Sequence, residues 1–458
     1  MGAPGVTVKE VNQLSLSVSA GPTAIPVFIG KFKRINELGS DGAFASNGSL
    51  LDEEACYRIE NWLDFSSRFG ESAETVVHYE PATNGKFKEG SNSTKKSKEK
   101  TAPATADVTH TPHLGSACVQ HYFDNGGGPC YILPYNIYST DVADLWAETI
   151  RKYPDISLLC HCENRSTSDY QYMCKALNPL LNSNQGYFLL ADMPTHDFDP
   201  CTTQMQTAQY WPALETRYSP RPSDDYIYVT GVTGVTDGEP LSNPNIPADV
   251  YKTINDAIAG VLTPAKYLPA GPAMAGIYAK TDRERGVWKA PANVVINNVN
   301  ALYYPDAAGY PAVTDQKPST LDVTANEIVY QSGRGLVVWG ARTMEDSEQW
   351  RYIPVRRLFN SAERDIKETM RSAVFQPNSQ PTWESVRGAI ANYLEQLWRK
   401  GGLMGDSAEQ AFFVQVGKDI TMTEADILQG RMIVKVGMAA VRPAEYIILQ
   451  FTQDIGAV

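Results

Sequence analysis

The stretch from Leu336 to Phe375 constrains the fold most. An apolar run, Leu336-Val337-Val338-Trp339, stops at Gly340. Four large apolar residues in a row, closed by glycine, fit a buried strand. A second short strand is expected at Trp350 to Val355, followed by a long amphipathic helix from about Arg356. In that helix Leu358, Phe359, Ala362, Ile366 and Met370 share one face, while Glu363, Arg364, Lys367 and Glu368 point away. A second helix is expected from Trp383 to Lys400, with Trp383, Val386, Ile390, Leu394 and Leu397 inward and Gly401-Gly402 as its stop. Its outward face carries Glu384, Arg387, Glu395, Arg399 and Lys400. Such a face is ordinarily solvated, and gains meaning only if it meets another protein.

The middle of the chain repeats a different pattern. Ile25 to Gly30 and Cys130 to Leu133 read as strands, Val142 to Ile150 as a helix and Ile156 to Cys160 as a strand. Asp169 to Leu181 then reads as a helix, and Gly186 to Ala191 as a strand that ends at Asp192. Strand, helix, strand at this spacing predicts a parallel sheet of βαβ units. With 458 residues, two or three domains are expected. Between Asn84 and Lys100, six Lys oppose two Glu with almost no apolar residue, the composition of a solvent-facing loop.

Both ends look extended. Val6, Val8 and Val11 alternate with polar residues, and Glu445 to Phe451 (Tyr446, Ile447, Ile448, Leu449, Gln450, Phe451) reads as a last strand. A strand that forms no hairpin of its own has unpaired backbone groups. These need a partner strand, in this subunit or another.

Charge and motifs exclude several function classes. A net charge of -12 argues against sequence-independent nucleic-acid binding and against adhesion to an anionic membrane. No apolar run is long enough to span a bilayer, and Met1 to Glu10 lacks the basic and apolar regions of a signal peptide. The seven cysteines form no regular framework and read as reduced thiols. Gly126 to Gly128 precede a strand and are followed by Pro129, so a tight turn is expected rather than a phosphate cradle. Cys160-His161-Cys162 with Cys174 lacks zinc spacing, as do His110, His113 and His121. Asp192 stands where α/β enzymes place a catalytic acid. An enzyme built on it and the glycine turn is the competing reading, and a non-contractile shell subunit is a third.

Several segments carry a family resemblance. They are Pro4 to Val11 (P-G-V-T-V-K-E-V), Phe123 to Tyr131 (F-D-N-G-G-G-P-C-Y) and Ala273 to Asn293, with its G-I-Y-A-K-T-D-R-E-R-G-V-W-K-A-P-A-N. Leu336 to Thr343, Trp350 to Phe359, Ala373 to Pro377 and Val441 to Tyr446 (V-R-P-A-E-Y) complete the set. Together they resemble the sheath proteins of contractile phage tails and related injection machines. Pro129 stands where a basic residue is common, and the Lys-rich insertion departs from the pattern.

The resemblance implies an α/β (mixed α+β) chain of discontinuous architecture. An inner α/β sheath domain would come from both termini, with an outer α/β domain inserted and extended β arms at each end. The boundaries would be an arm at 1–25, an outer domain at 26–315 with the Lys-rich loop at 84–112, an inner domain at 316–440 and an arm at 441–458. It implies a helical homopolymer of hexameric rings around an inner tube protein. Baseplate and terminal cap proteins, and paralogous sheath subunits, would be further partners. The particle would be assembled in bacterial cytoplasm and could be released. Neither nucleic acid, membrane insertion, catalysis, cofactor nor metal is implied. Val6, Val8, Val11, Tyr446, Ile447, Ile448, Leu449 and Phe451 would be intersubunit strands. The face bearing Glu384, Arg387, Glu395, Arg399 and Lys400 is the expected tube contact.

Overall fold

A computed structural model describes residues 16–32, 55–70, 75–85, 100–110, 114–135, 140–163, 167–193, 203–216, 218, 221–261, 268–303 and 325–445. Its centre is an eight-stranded sheet. In chain order the strands are β1 (Pro26–Gly30), β2 (Tyr57–Ile59), β3 (Cys130–Pro134), β4 (Leu158–His161), β5 (Phe188–Asp192), β6 (Thr207–Trp211), β7 (Asn326–Gln331) and β8 (Gly335–Val338). In space they run β8-β7-β6-β5-β4-β1-β3-β2. Every pairing from β7 to β3 is parallel, and the edge strands β8 and β2 are antiparallel. The chain runs from β1 to β3 on one side, then crosses to β4 on the other, as in doubly wound α/β folds.

Side chains alternate across this sheet. Val27, Ile29, Leu133, Leu159 and Leu189 face α2 (Thr140–Arg151) and α3 (Thr167–Leu181), where they meet Trp146, Ile150, Tyr170, Met173 and Leu177. Phe28, Ile132, Leu158 and Leu190 face the opposite layer, formed by α1 (Gly115–Asp124) and α4 (Gly271–Arg285). Burial on both faces is why these strands read as unbroken apolar runs. Helix α4 lies close to α1 because Gly276 has no Cβ; one would stand 2.4 Å from the Tyr122 carbonyl oxygen.

A smaller body has its own core. Glu239–Pro240, Ile227–Thr230, Thr75–Glu80 and Thr105–His110 form a four-stranded sheet, with Val77, Tyr79, Ile227 and Val229 packed against Val250, Ile254 and Ile258 of the Ala248–Val261 helix. A third core joins α5 (Ile353–Arg371) and α6 (Gln380–Arg399) through Leu358, Ala362, Val386, Ile390 and Leu394, with Val18 from the N-terminal segment. The antiparallel pair Phe412–Gln415 and Lys435–Met438 lies against it.

Two details differ from the sequence reading. No strand forms at Trp350 to Val355: Tyr352 makes one bridge to Arg342, and α5 begins at Ile353. Pro354 explains this, since its fixed φ suits a first helical turn. The boundary placed at 315/316 runs through one sheet, because β7 and β8 continue the order of β1 to β6. In the 1–25 segment the described residues, from Leu16, belong to the body.

Candidate assembly surface

Helix α5 is held by buried polar groups. Arg357 donates to both carboxylate oxygens of Asp282 on α4 (3.0 and 2.6 Å) and to the Thr23 carbonyl (3.1 Å). Its guanidinium lies 4.5 Å from the Tyr278 ring centroid. Thr23 also donates through Oγ1 to Asp282 (2.5 Å). One turn along, Asn360 exchanges two amide hydrogen bonds with Gln206 (3.1 and 2.6 Å). Asp365 accepts from the Tyr393 hydroxyl (2.7 Å) and the Gly21 backbone N–H (3.1 Å). These bonds tie the N-terminal segment, α4, α5 and α6 into one body. Arg364, expected to face solvent, is half-buried, and burial lowers its pKa.

The polar face of α6 neutralises itself. Arg387 pairs with Glu384 one turn back, and Arg399 pairs with Glu395 at 2.5 Å. Glu384, Arg387, Arg399 and Lys400 are exposed and Glu395 is half-buried. Pairs of this kind contribute about 0.3–0.5 kcal/mol each and are screened by salt.

The pair Phe412–Gln415 and Lys435–Met438 has no third strand on either edge among the described residues. Phe413 covers Gly437 across the ladder, where an added Cβ would stand 2.1 Å from the ring. Among the described residues only the Leu403–Ala440 bridge adjoins the pair, next to the end of Lys435–Met438, and sheet edges of this kind can take up another strand. Glu445, the last described residue, is fixed to the body: Arg342 holds it through three contacts of 2.5 to 3.1 Å. Val6, Val8, Val11, Tyr446, Ile447, Ile448, Leu449 and Phe451 lie outside the described residues.

A family profile, the phage tail sheath C-terminal domain, matches residues 345–454. The tail sheath protein of Vibrio phage KVP40 is 26% identical over 142 residues, 30% of this chain and 20% of that protein. That of Salmonella phage ViI is 26% identical over 160 residues, 34% of this chain and 23% of that protein. The chain therefore spans less than a quarter of the length of these curated relatives. The solved helical sheath of the anti-feeding prophage, in its contracted state, matches 99% of this chain and 100% of its own, at 34% identity and a TM-score of 0.69. The chain belongs to the contractile tail sheath family. The sheath complex of the extracellular contractile injection system PVC, also contracted, aligns at 32% identity over 99% of this chain and 98% of that one, with a TM-score of 0.63. A structure of the anti-feeding prophage baseplate also holds a matching chain, 35% identical.

In this sheath protein the elements of the enzyme reading lie apart. Asp192 caps the start of α4, accepting from the backbone N–H groups of Ala270 (2.6 Å) and Gly271 (2.9 Å). The glycine turn meets the other end of α4, where Arg283 donates to the Gly126 carbonyl at 3.3 Å. The two are separated by about 18 Å of helix at 1.5 Å per residue. The turn itself is structural: Gly127 lies under the Tyr122 ring, and the Gly128 N–H donates to the Tyr122 hydroxyl. Cys160 and Cys162 face α1 and α4, while Cys174 sits in the core beneath the opposite face. His121 bonds the Asn297 carbonyl.

Three buried groups give a pH signature. Desolvation pushes His161 down to about 3 and His121 down to about 4, and pushes Asp192 up to about 7. The imidazoles stabilise the fold above about pH 6.5 and lose that contribution as pH falls toward 4. Asp192 has the opposite sign, costing stability as pH rises through about 7. Two imidazoles outweigh one carboxyl, so acidification from 6.5 to 4 should cost roughly 3 kcal/mol from these groups. Urea midpoints across that range test this. Asp192→Asn, which keeps an acceptor oxygen for both N–H groups, should steepen the loss. An unchanged slope in the variant would refute the Asp192 contribution.

Proposed function

We propose that this chain is the repeating unit of a helical sleeve that surrounds an inner tube and contracts to drive that tube through a target envelope. The observation that carries the reading is the end-to-end match, at 34% identity, to a contracted helical sheath. The open-edged pair Phe412–Gln415 and Lys435–Met438 supports it, because strand addition is the contact such a polymer needs. Segments 6–11 and 446–451 of neighbouring subunits are the incoming strands. Main-chain bonds of that kind tolerate rotation of the bodies they join, so the sleeve can change pitch without coming apart. Subunits repeat head to tail by contacts that do not close on themselves, giving an open helix built up from hexameric layers. The baseplate and a terminal cap hold the extended form as a kinetic trap. Contraction buries further apolar surface, each Å² giving roughly 25 cal/mol as an upper bound. The four-stranded body built from Thr75–Glu80, Thr105–His110 and residues 221–261 is the outward-facing insertion. Assembly takes place in the bacterial cytoplasm, and the role is mechanical, with no active site.

The face of α6 is the tube contact in this reading. Its charges are already paired within the helix, so they can meet the tube through weak, screened interactions and release it. Arg387→Glu with Arg399→Glu places like charges one turn apart, at about 0.2–0.5 kcal/mol per pair, which leaves the fold intact. The expected result is a folded subunit that no longer forms extended sleeves on co-expressed tube protein. Normal extended sleeves from the double variant would remove α6 from the tube contact.

A further inference from the structure

The N-terminal segment crosses α5 with few ties. Residues 16–24 form neither helix nor strand, and Ser17, Ser19, Ala20 and Pro22 are exposed. No backbone–backbone hydrogen bond joins them to the rest of the described residues. Val18 enters the α5–α6 core, and Leu16 packs against the same core while only partly buried. The next tie is one hydrogen bond, from the Gly21 N–H to Asp365 (3.1 Å). Pro22 has no N–H with which to add another.

From Thr23 onward the attachment changes in kind. The Thr23 hydroxyl donates to Asp282 (2.5 Å), and the Thr23 carbonyl accepts from Arg357 (3.1 Å) and from the Ser157 hydroxyl (3.0 Å). The Ile25 carbonyl accepts from the backbone N–H groups of Ser157 (2.9 Å) and Leu158 (3.1 Å), and β1 begins at the next residue. Arg357 and Asp365 stand about 12 Å apart along the α5 axis, so the strong and weak ties are well separated. Asp365 does not depend on the weak one, because it also accepts from the Tyr393 hydroxyl (2.7 Å). Release of Gly21 therefore leaves the carboxylate bonded within the subunit, and the freed N–H turns to water. A segment that opens locally gives up only its own contacts, so its opening lies far below global unfolding in free energy.

We propose that residues 16–22 are a strap that peels from α5 under tension while Thr23 holds, lengthening the tether between the body and the N-terminal arm. The inference rests on the sheath reading and adds a conformational step to it. The freed stretch, at about 3.4 Å per residue, gives up to about 24 Å of chain. In that reading residues 6–11 pair with a neighbour's strand through a ladder of main-chain bonds. One hydrogen bond and two apolar side chains hold the strap, so under tension the strap yields first. Adjacent bodies then change their spacing while the arm stays paired, and re-docking of Val18 and Gly21 takes up the slack afterwards.

Hydrogen exchange on the purified full chain reads the strap without any polymer. The Gly21 amide should exchange at least 100-fold faster than the β1 amides of Val27 to Ile29. Dilute urea should speed the β1 amides and leave Gly21 nearly unchanged, because peeling exposes little surface. Equal rates with equal urea dependence would overturn the proposal, since the segment would then open only with the whole subunit. The role in contraction is tested by Gly21→Cys with Asp365→Cys, joined by diamide after sleeves have assembled on co-expressed tube protein. A Cβ on Gly21 would stand 3.0 Å from the Asp365 carboxylate oxygen, within reach of such a staple. On heating, sleeves of the reduced variant should contract whole, while oxidised sleeves stay extended or break between layers. Oxidised sleeves that contract intact, as the reduced ones do, would overturn the strap's role. A wild type with fast Gly21 exchange that forms no sleeve under any condition would instead remove the sheath reading on which that role depends.

Discussion

Replacing Arg357 by leucine is expected to destabilise the subunit by about 3–5 kcal/mol, the cost of leaving a buried charge without its partner. Asp282 would keep only the Thr23 hydroxyl, and both members of the original pair are almost wholly buried, at 3% and 5% side-chain exposure. The loss would extend beyond the pair, because Arg357 also holds the Thr23 carbonyl and so anchors the N-terminal segment where it enters β1. Replacing Asp282 by leucine in the same chain should recover much of the loss, since it removes the orphaned carboxylate. Urea unfolding of the two single variants and the double variant tests both statements. A single variant within about 1 kcal/mol of the wild type would show that the pair contributes no more than a surface bridge.

Ending the chain after Glu445 is expected to give a folded, soluble subunit that does not polymerise. The truncation keeps the Arg342–Glu445 pair, so the body loses none of the contacts described for it. What goes is the strand expected at Tyr446 to Phe451. A strand of that length adds about five main-chain bonds, each contributing about 1 kcal/mol net. A loss of about 5 kcal/mol per contact weakens association by more than 1,000-fold. Thermal unfolding should be unchanged while sedimentation shows monomers only. Helical polymers from the truncated chain would remove the C-terminal arm from the assembly.

Much of the fold was legible in the sequence where burial was two-sided. β1, β3, β4 and β5 are apolar runs because helices cover both faces. β6 and β7 were harder, since the buried polar residues Gln209 and Asn326 interrupt their pattern. Asn326 is satisfied by the Gln209 carbonyl at 3.1 Å and the Arg342 carbonyl at 2.7 Å, partners that local sequence does not reveal. Ile227–Thr230 is not marked by local sequence, because its parallel partner Thr75–Glu80 is far away in the chain. Helical periodicity found the apolar stripe of α5 but not the burial of Arg356, Arg357 and Asp365, whose partners include residues on other elements. The charged stripe of α6 was read correctly as an exposed face, although its internal pairing appears only in three dimensions.

The most direct test of the sleeve is electron microscopy of the purified protein, alone and co-expressed with its tube protein. The account predicts hollow helical cylinders in both preparations, wider and of shorter pitch without the tube. Discrete globular particles under both conditions would contradict it.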